Sequence, residues 1–228
     1  MLEAPTQLHI AGLSIALFDA TRVLDDLRAL YADFAERTNA FRADARNPHL
    51  CAAGCSACCK KGAVFAVTLV EALELSLAIH ALPTSVRDNA SAAARELVPE
   101  QHRVFAGAEG PADQPGRREE PMFSRRIGAL NRELGPACPL LADDLCSVYA
   151  ARPLLCRAYG FPVDAYAVRA DGAITFRSLC VLYEGKQLVD YVRAETIRTQ
   201  LEELSDRLAG NRSVGRFTSI EAIVARID

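Results

Sequence analysis

Eight cysteines stand in two groups along the chain, Cys51, Cys55, Cys58 and Cys59 in the first and Cys138, Cys146, Cys156 and Cys180 in the second. The first group is spaced C-x3-C-x2-C-C. Thiolate is soft and polarisable, the ligand zinc and iron favour, and a short cysteine repeat lets one loop supply several ligands to a tetrahedral centre. All eight positions are therefore candidate metal ligands. Cys58 and Cys59 are consecutive, and neighbouring side chains point apart, so the pair hints at more than one metal ion. Eight thiols suffice for two four-cysteine zinc sites, a polynuclear centre, or one iron–sulfur cluster with four cysteines left over. The spacing leaves these open.

A divalent ion held by four thiolates carries a net charge of about −2, which cationic side chains and backbone N–H groups should offset. Lys60 and Lys61 follow Cys59, and Arg152 and Arg157 flank Cys156. The two arginines are expected around the ligand set; their competing role is to anchor helix ends or to fork onto Asp143 or Asp144. Tyr149 is expected to pack beside the site rather than to donate a proton, since a phenol ordinarily ionises near ~10. His49, two residues before Cys51, is a weaker ligand candidate.

Other thiol chemistry fits less well. Cys55-Ser56-Ala57-Cys58 is formally the C-x-x-C of thiol oxidoreductases, but no βαβ pattern precedes it. Haem attachment requires a histidine where Cys59 stands. Scattered core thiols need not cluster in this way. No Ser/His/acid constellation or paired catalytic carboxylates can be read.

The elements that must position these residues are mostly helical. Over residues 21–38 a stripe of Val23, Leu24, Leu27, Leu30, Tyr31 and Phe34 has helical spacing, with Thr21 as cap. Thr68 and Glu71 form a capping box for a helix that stops before Pro83. Ser85 with Asp88 starts another, to about Glu96. Residues 106–121 read as an exposed loop, residues 124–134 as a short helix, and Tyr166 to Phe176 as a hairpin around Asp171-Gly172, the only clear strand signal. A stripe of Val189, Val192, Ile197, Leu201, Leu204 and Leu208 predicts a helix from Gln187 to Leu208, closed by Gly210. Thr218 and Glu221 cap a last short helix.

The expected fold is thus mainly α: a single helical domain with two cysteine-bearing metal-ligand loops and a small β-hairpin. Residues 1–50 form an N-terminal helical segment, 51–183 the cysteine cluster domain, and 184–228 C-terminal helices packed on it. With 228 residues, half of them hydrophobic, the chain can bury its own core without disulfides. Its 29 acidic and 26 basic residues give a net charge of −3 with no basic block, which argues against nucleic acid as a partner. No apolar run approaches the ~18 residues of a membrane span, and no lysine or arginine precedes Arg22 as in a secretory leader. A cytoplasmic protein is expected, where clustered cysteines bind metal more often than they pair.

The two signatures, C-x3-C-x2-C-C and CPLLADDLCSVYAARPLLCRAYGF with Cys138, Cys146, Tyr149, Arg152, Pro153, Cys156 and Arg157, resemble those of the YkgJ-like cysteine cluster proteins. Cys180 stands where that family has a further downstream cysteine. The resemblance runs from residue 51 to residue 180 through its two ends. It implies a domain chelating zinc or iron. Larger relatives resemble flagellin lysine N-methylases, which implies methyl transfer to protein lysines as one alternative. A metal-handling or protein-interaction module is the other. No Gly-rich loop suggests a site for a nucleotide-like methyl donor.

Overall fold

The computed structural model describes residues 6–10, 13–17, 20–47, 54–60, 66–106, 137–163, 190–210 and 216–225. Within these the chain is mainly helical, as expected, with short antiparallel strand pairs. Helix α3, Leu69–His80, lies at the centre because LVEALELSLAIH is apolar on nearly every face. Leu69, Val70, Ala72, Leu73, Leu75 and Ile79 are all buried. Leu77 turns outward and is about half exposed.

Packed on α3 are α1 (Ala20–Ala43) and α6 (Glu195–Leu208). Helix α1 buries Val23, Leu24, Leu27, Tyr31 and Phe34 of the expected stripe, then continues a further turn to bury Thr38 and Phe41. Helix α6 contributes Ile197, Leu201, Leu204 and Leu208. Polar contacts fix the relative rotation of these helices. The Arg28 guanidinium donates two hydrogen bonds of 3.1 Å to the two carboxylate oxygens of Glu74, and Arg207 pairs with Asp26 at 2.9 Å.

Helix α4 (Thr84–Ala106) packs against the short α7 (Ile220–Val224). It begins one residue before the expected cap, with the Pro83 carbonyl accepting from Val86 and Arg87, and it continues well beyond Glu96. Pro99 lies inside it: proline forfeits one helical hydrogen bond but its fixed φ is itself helical, so the chain does not have to stop there.

Strands occur in more places than the sequence announced. The segment expected to be helical over residues 1–50 opens with a hairpin of β1 (Thr6–Ile10) and β2 (Leu13–Leu17) before α1. Strand β3 (Ala66–Thr68) pairs with β6 (Arg216–Ser219), clamping the entry to α3 against the chain's last elements. Thr218 is consequently a strand residue facing Val67, and α7 begins at Ile220 instead of being capped by Thr218. Helix α6 starts at Glu195, later than expected, because Val192 is taken by a parallel bridge to Val163, its N–H donating to the Pro162 carbonyl at 2.7 Å. The expected hairpin over residues 166–176, the helix over 124–134 and the loop beyond Ala106 lie outside the described residues.

Candidate metal centre

The described part of the first cysteine segment, residues 54–60, is one tight turn. Gly54 adopts a left-handed conformation with φ 85°, which glycine reaches without a Cβ penalty, and the chain then enters α2 (Ala57–Lys60). The Lys60 N–H closes the turn on the Ser56 carbonyl at 2.9 Å. Cys58 and Cys59 lie on this turn, their Sγ atoms 3.8 Å apart.

The second segment is built from Cys138 onward. A turn in which Leu141 N–H donates to the Cys138 carbonyl leads into β4 (Leu141–Ala142), and β5 (Leu145–Cys146) returns antiparallel to it. The two connecting residues, Asp143 and Asp144, both have positive φ, 48° and 64°. That is the two-residue hairpin in which both central residues are left-handed, a conformation aspartate tolerates better than most side chains. A 3-10 turn (Tyr149–Ala151) and Pro153 follow, then α5 (Leu154–Ala158), which carries Cys156.

Three contacts stitch the segments together. The Cys138 N–H donates to the Cys59 carbonyl at 2.7 Å. The Ser56 hydroxyl donates to Asp144 Oδ1 at 3.1 Å, and Lys60 Nζ reaches the same oxygen at 2.5 Å. Lys60 thus answers the hairpin's carboxylate instead of a thiolate, and Asp144 does not serve Arg152 or Arg157 as one reading of the sequence had it. Hydrogen bonds from Lys60 and Ser56 hold the Asp144 carboxyl below its ordinary range.

As a result Cys55, Cys58, Cys59, Cys138, Cys146 and Cys156, all the cysteines among the described residues, line one cavity of about 70 Å³. None of these six is in a disulfide. Cys51, Cys180, His49 and Lys61 lie outside the described residues. As placed, no three histidine, cysteine, aspartate or glutamate side chains among the described residues are close enough together to hold one ion. Crowding of these half-buried thiols shows in their acidity. Contact with the Cys59 thiol, then burial, raises Cys58; burial raises Cys146, and burial followed by the neighbouring Cys138 raises Cys156 well above the ordinary thiol value. Such groups resist ionising unless a cation is bound among them.

Tyr149 and Arg152 line the same cavity, as does Arg157. The Arg152 guanidinium lies 3.7 Å above the Tyr149 ring, whose outer side is exposed. Its Nε is buried and has no hydrogen-bond acceptor among the described residues. An orphaned cationic donor beside cysteine thiols is what a negatively charged metal–thiolate centre would satisfy, so the donor set fits a soft divalent cation. Arg157 acts differently. It donates from Nε to the Arg152 carbonyl at 2.6 Å and from Nη2 to the Ala150 carbonyl, and lies 4.0 Å over the Tyr31 ring. It ties the turn before α5 while remaining within electrostatic reach of Cys156.

Glu71 is the residue whose part the sequence concealed. It was readable as a helix cap, and its Oε2 does accept from the Thr68 N–H and hydroxyl, each at 2.9 Å. Its Oε1 accepts the Leu154 N–H at 2.7 Å and the Tyr31 hydroxyl at 3.4 Å. One buried carboxylate therefore joins α1, α3 and the first turn of the helix bearing Cys156.

A family model described as "CxxCxxCC: Putative zinc- or iron-chelating domain" matches residues 50–180, more than half of the chain. No curated protein and no solved structure matches it.

Proposed function

Since the chain belongs to the CxxCxxCC family of zinc- or iron-chelating domains, we propose that it binds zinc or iron at the cavity between its two cysteine segments. The convergence of six free cysteines, drawn from both signatures, on one cavity carries this reading. Cys55, Cys58, Cys59, Cys138, Cys146 and Cys156 would hold the metal, with Cys51 and Cys180 completing the signatures. Arg152 would offset the thiolate charge. A bound metal of this kind contributes folding free energy directly, and iron would add one-electron chemistry.

The size of the cavity bears on the enzymatic alternative. Pockets that enclose a drug-sized ligand measure roughly 300 to 1,000 Å³, against about 70 Å³ here. Ions or a small cluster match that scale better than a nucleotide-like methyl donor, and no specific feature of the described residues favours lysine methylation. A cytoplasmic location accords with six unpaired thiols. No described helix is long and apolar enough to cross a membrane.

The test is purification without oxygen or chelator, followed by zinc, iron and acid-labile sulfide analysis and a visible spectrum. Zinc in a colourless protein would indicate a closed thiolate site, whereas iron with sulfide and a broad band near ~400 nm would indicate an iron–sulfur cluster. Cys58→Ser and Cys156→Ser should each lower metal content and stability together. Full metal content in both variants would refute the proposal.

A further inference from the structure

Resting on the metal-binding reading, the geometry points to a sharper assignment: we propose that Cys58 and Cys59 are two ligands of one and the same ion, a chelating pair supplied by a single helical turn. Consecutive residues suggested service to different ions, because successive side chains on a helix diverge by about 100°. Their sulfurs nevertheless approach to 3.8 Å. In a tetrahedral thiolate site with metal–sulfur bonds of about 2.3 Å, neighbouring sulfurs are about 3.8 Å apart. The pair already spans one edge of such a site.

The same spacing disfavours the other use of a close dithiol. Consecutive Cα atoms are held about 3.8 Å apart by the trans peptide, short of the ~4.4 to 6.8 Å that a disulfide normally bridges. Backbone contacts hold the turn that carries the pair. The Lys60 N–H closes the turn onto Ser56, and the Cys59 carbonyl is engaged by Cys138 at 2.7 Å. A turn fixed before the ion arrives lowers the ordering cost of binding. The rest of that ion's coordination would then come from the facing segment, which begins with Cys138. A four-iron cluster held by four cysteines takes one thiolate per iron and could not use both members of the pair on one iron; a mononuclear site, or one iron of a two-iron cluster, could.

The experiment uses the full chain, isotopically labelled, purified without oxygen and loaded with NMR-active cadmium as the probe. Couplings from the β-protons of Cys58 and Cys59 to cadmium are then recorded, the two residues being assigned through their sequential backbone connectivity. Both should correlate with one cadmium resonance. Correlation with two different cadmium resonances, or coupling from only one of the two residues, would overturn the assignment. Cadmium bound to none of the cysteines would overturn the metal-binding reading itself, and this inference with it. Stoichiometry gives an independent measure: Cys58→Ser, Cys59→Ser and the double variant should each lose the same single equivalent of metal per chain. Two equivalents lost from the double variant against one from each single variant would contradict a shared ion.

Discussion

The carboxylate of Glu71 accepts the backbone N–H of Leu154 at 2.7 Å, which couples the N-terminus of the central helix to the first turn of the helix bearing Cys156. Both carboxylate oxygens are engaged by donors, so an amide cannot replace the acid without turning an N–H₂ group toward one of them. Glu71→Gln is expected to destabilise the fold by about 2 to 4 kcal/mol, the scale for disrupting a buried hydrogen-bond network around a charge. Denaturant titration would show this. Metal retention should fall in parallel, and stability equal to wild type would contradict the role.

Arg157 combines two hydrogen bonds to backbone carbonyls with a place over the Tyr31 ring, which requires a flat, forked cation. Lysine preserves the charge but supplies neither the fork nor the stacking surface. Arg157→Lys should cost about 1 to 2 kcal/mol in thermal or chemical unfolding, from a weakened cation–π contact and lost hydrogen bonding.

Tyr31 should titrate late. Burial, followed by the negative charge of Glu71, raises its phenol well above the ordinary value of 10. The unfolded chain then releases this proton at a lower pH than the folded one. The associated stability is fully present below pH ~10 and is lost as pH rises toward the folded value. Ultraviolet titration of wild type against Tyr31→Phe should lack a phenolate step for this residue near pH ~10 until unfolding begins.

Asp144 should govern how firmly the two segments stay together. Its carboxyl is depressed, so its contribution is present above the ordinary carboxylate range and lost as pH falls through the lowered folded value. Asn keeps an acceptor for Ser56 and tolerates the left-handed backbone but gives up the charge that Lys60 meets. Ala loses both contacts and is strained at φ 64°. Metal release to a competing chelator should therefore be slowest in wild type, faster in Asp144→Asn and fastest in Asp144→Ala.

Local signals in the sequence were the readable ones. The Thr68–Glu71 cap, the stop before Pro83 and the apolar stripe of α1 each depend on residues within a turn or two of one another, and each appears where expected. Contacts between distant residues had no such trace. Nothing near Val192 announces its bridge to Val163, and Glu71 could not be seen to serve Tyr31 or Leu154. The Asp143–Asp144 hairpin lacks the glycine that usually marks such a turn. The β1–β2 hairpin likewise stands where a helical segment was expected. At the site, cysteine identity pointed to metal, but that the two segments meet at Cys59 and Cys138 required the fold.

That meeting also sets an order of manufacture. Residues 59 and 138 are joined by one backbone hydrogen bond, yet the ribosome makes them well apart. At about 5 to 20 residues per second, the second partner follows the first by several seconds. During that interval the nascent chain presents Cys55, Cys58 and Cys59 before the segment that begins with Cys138 has been made. The contact between Cys138 and Cys59 can therefore form only after the first thiols have been made.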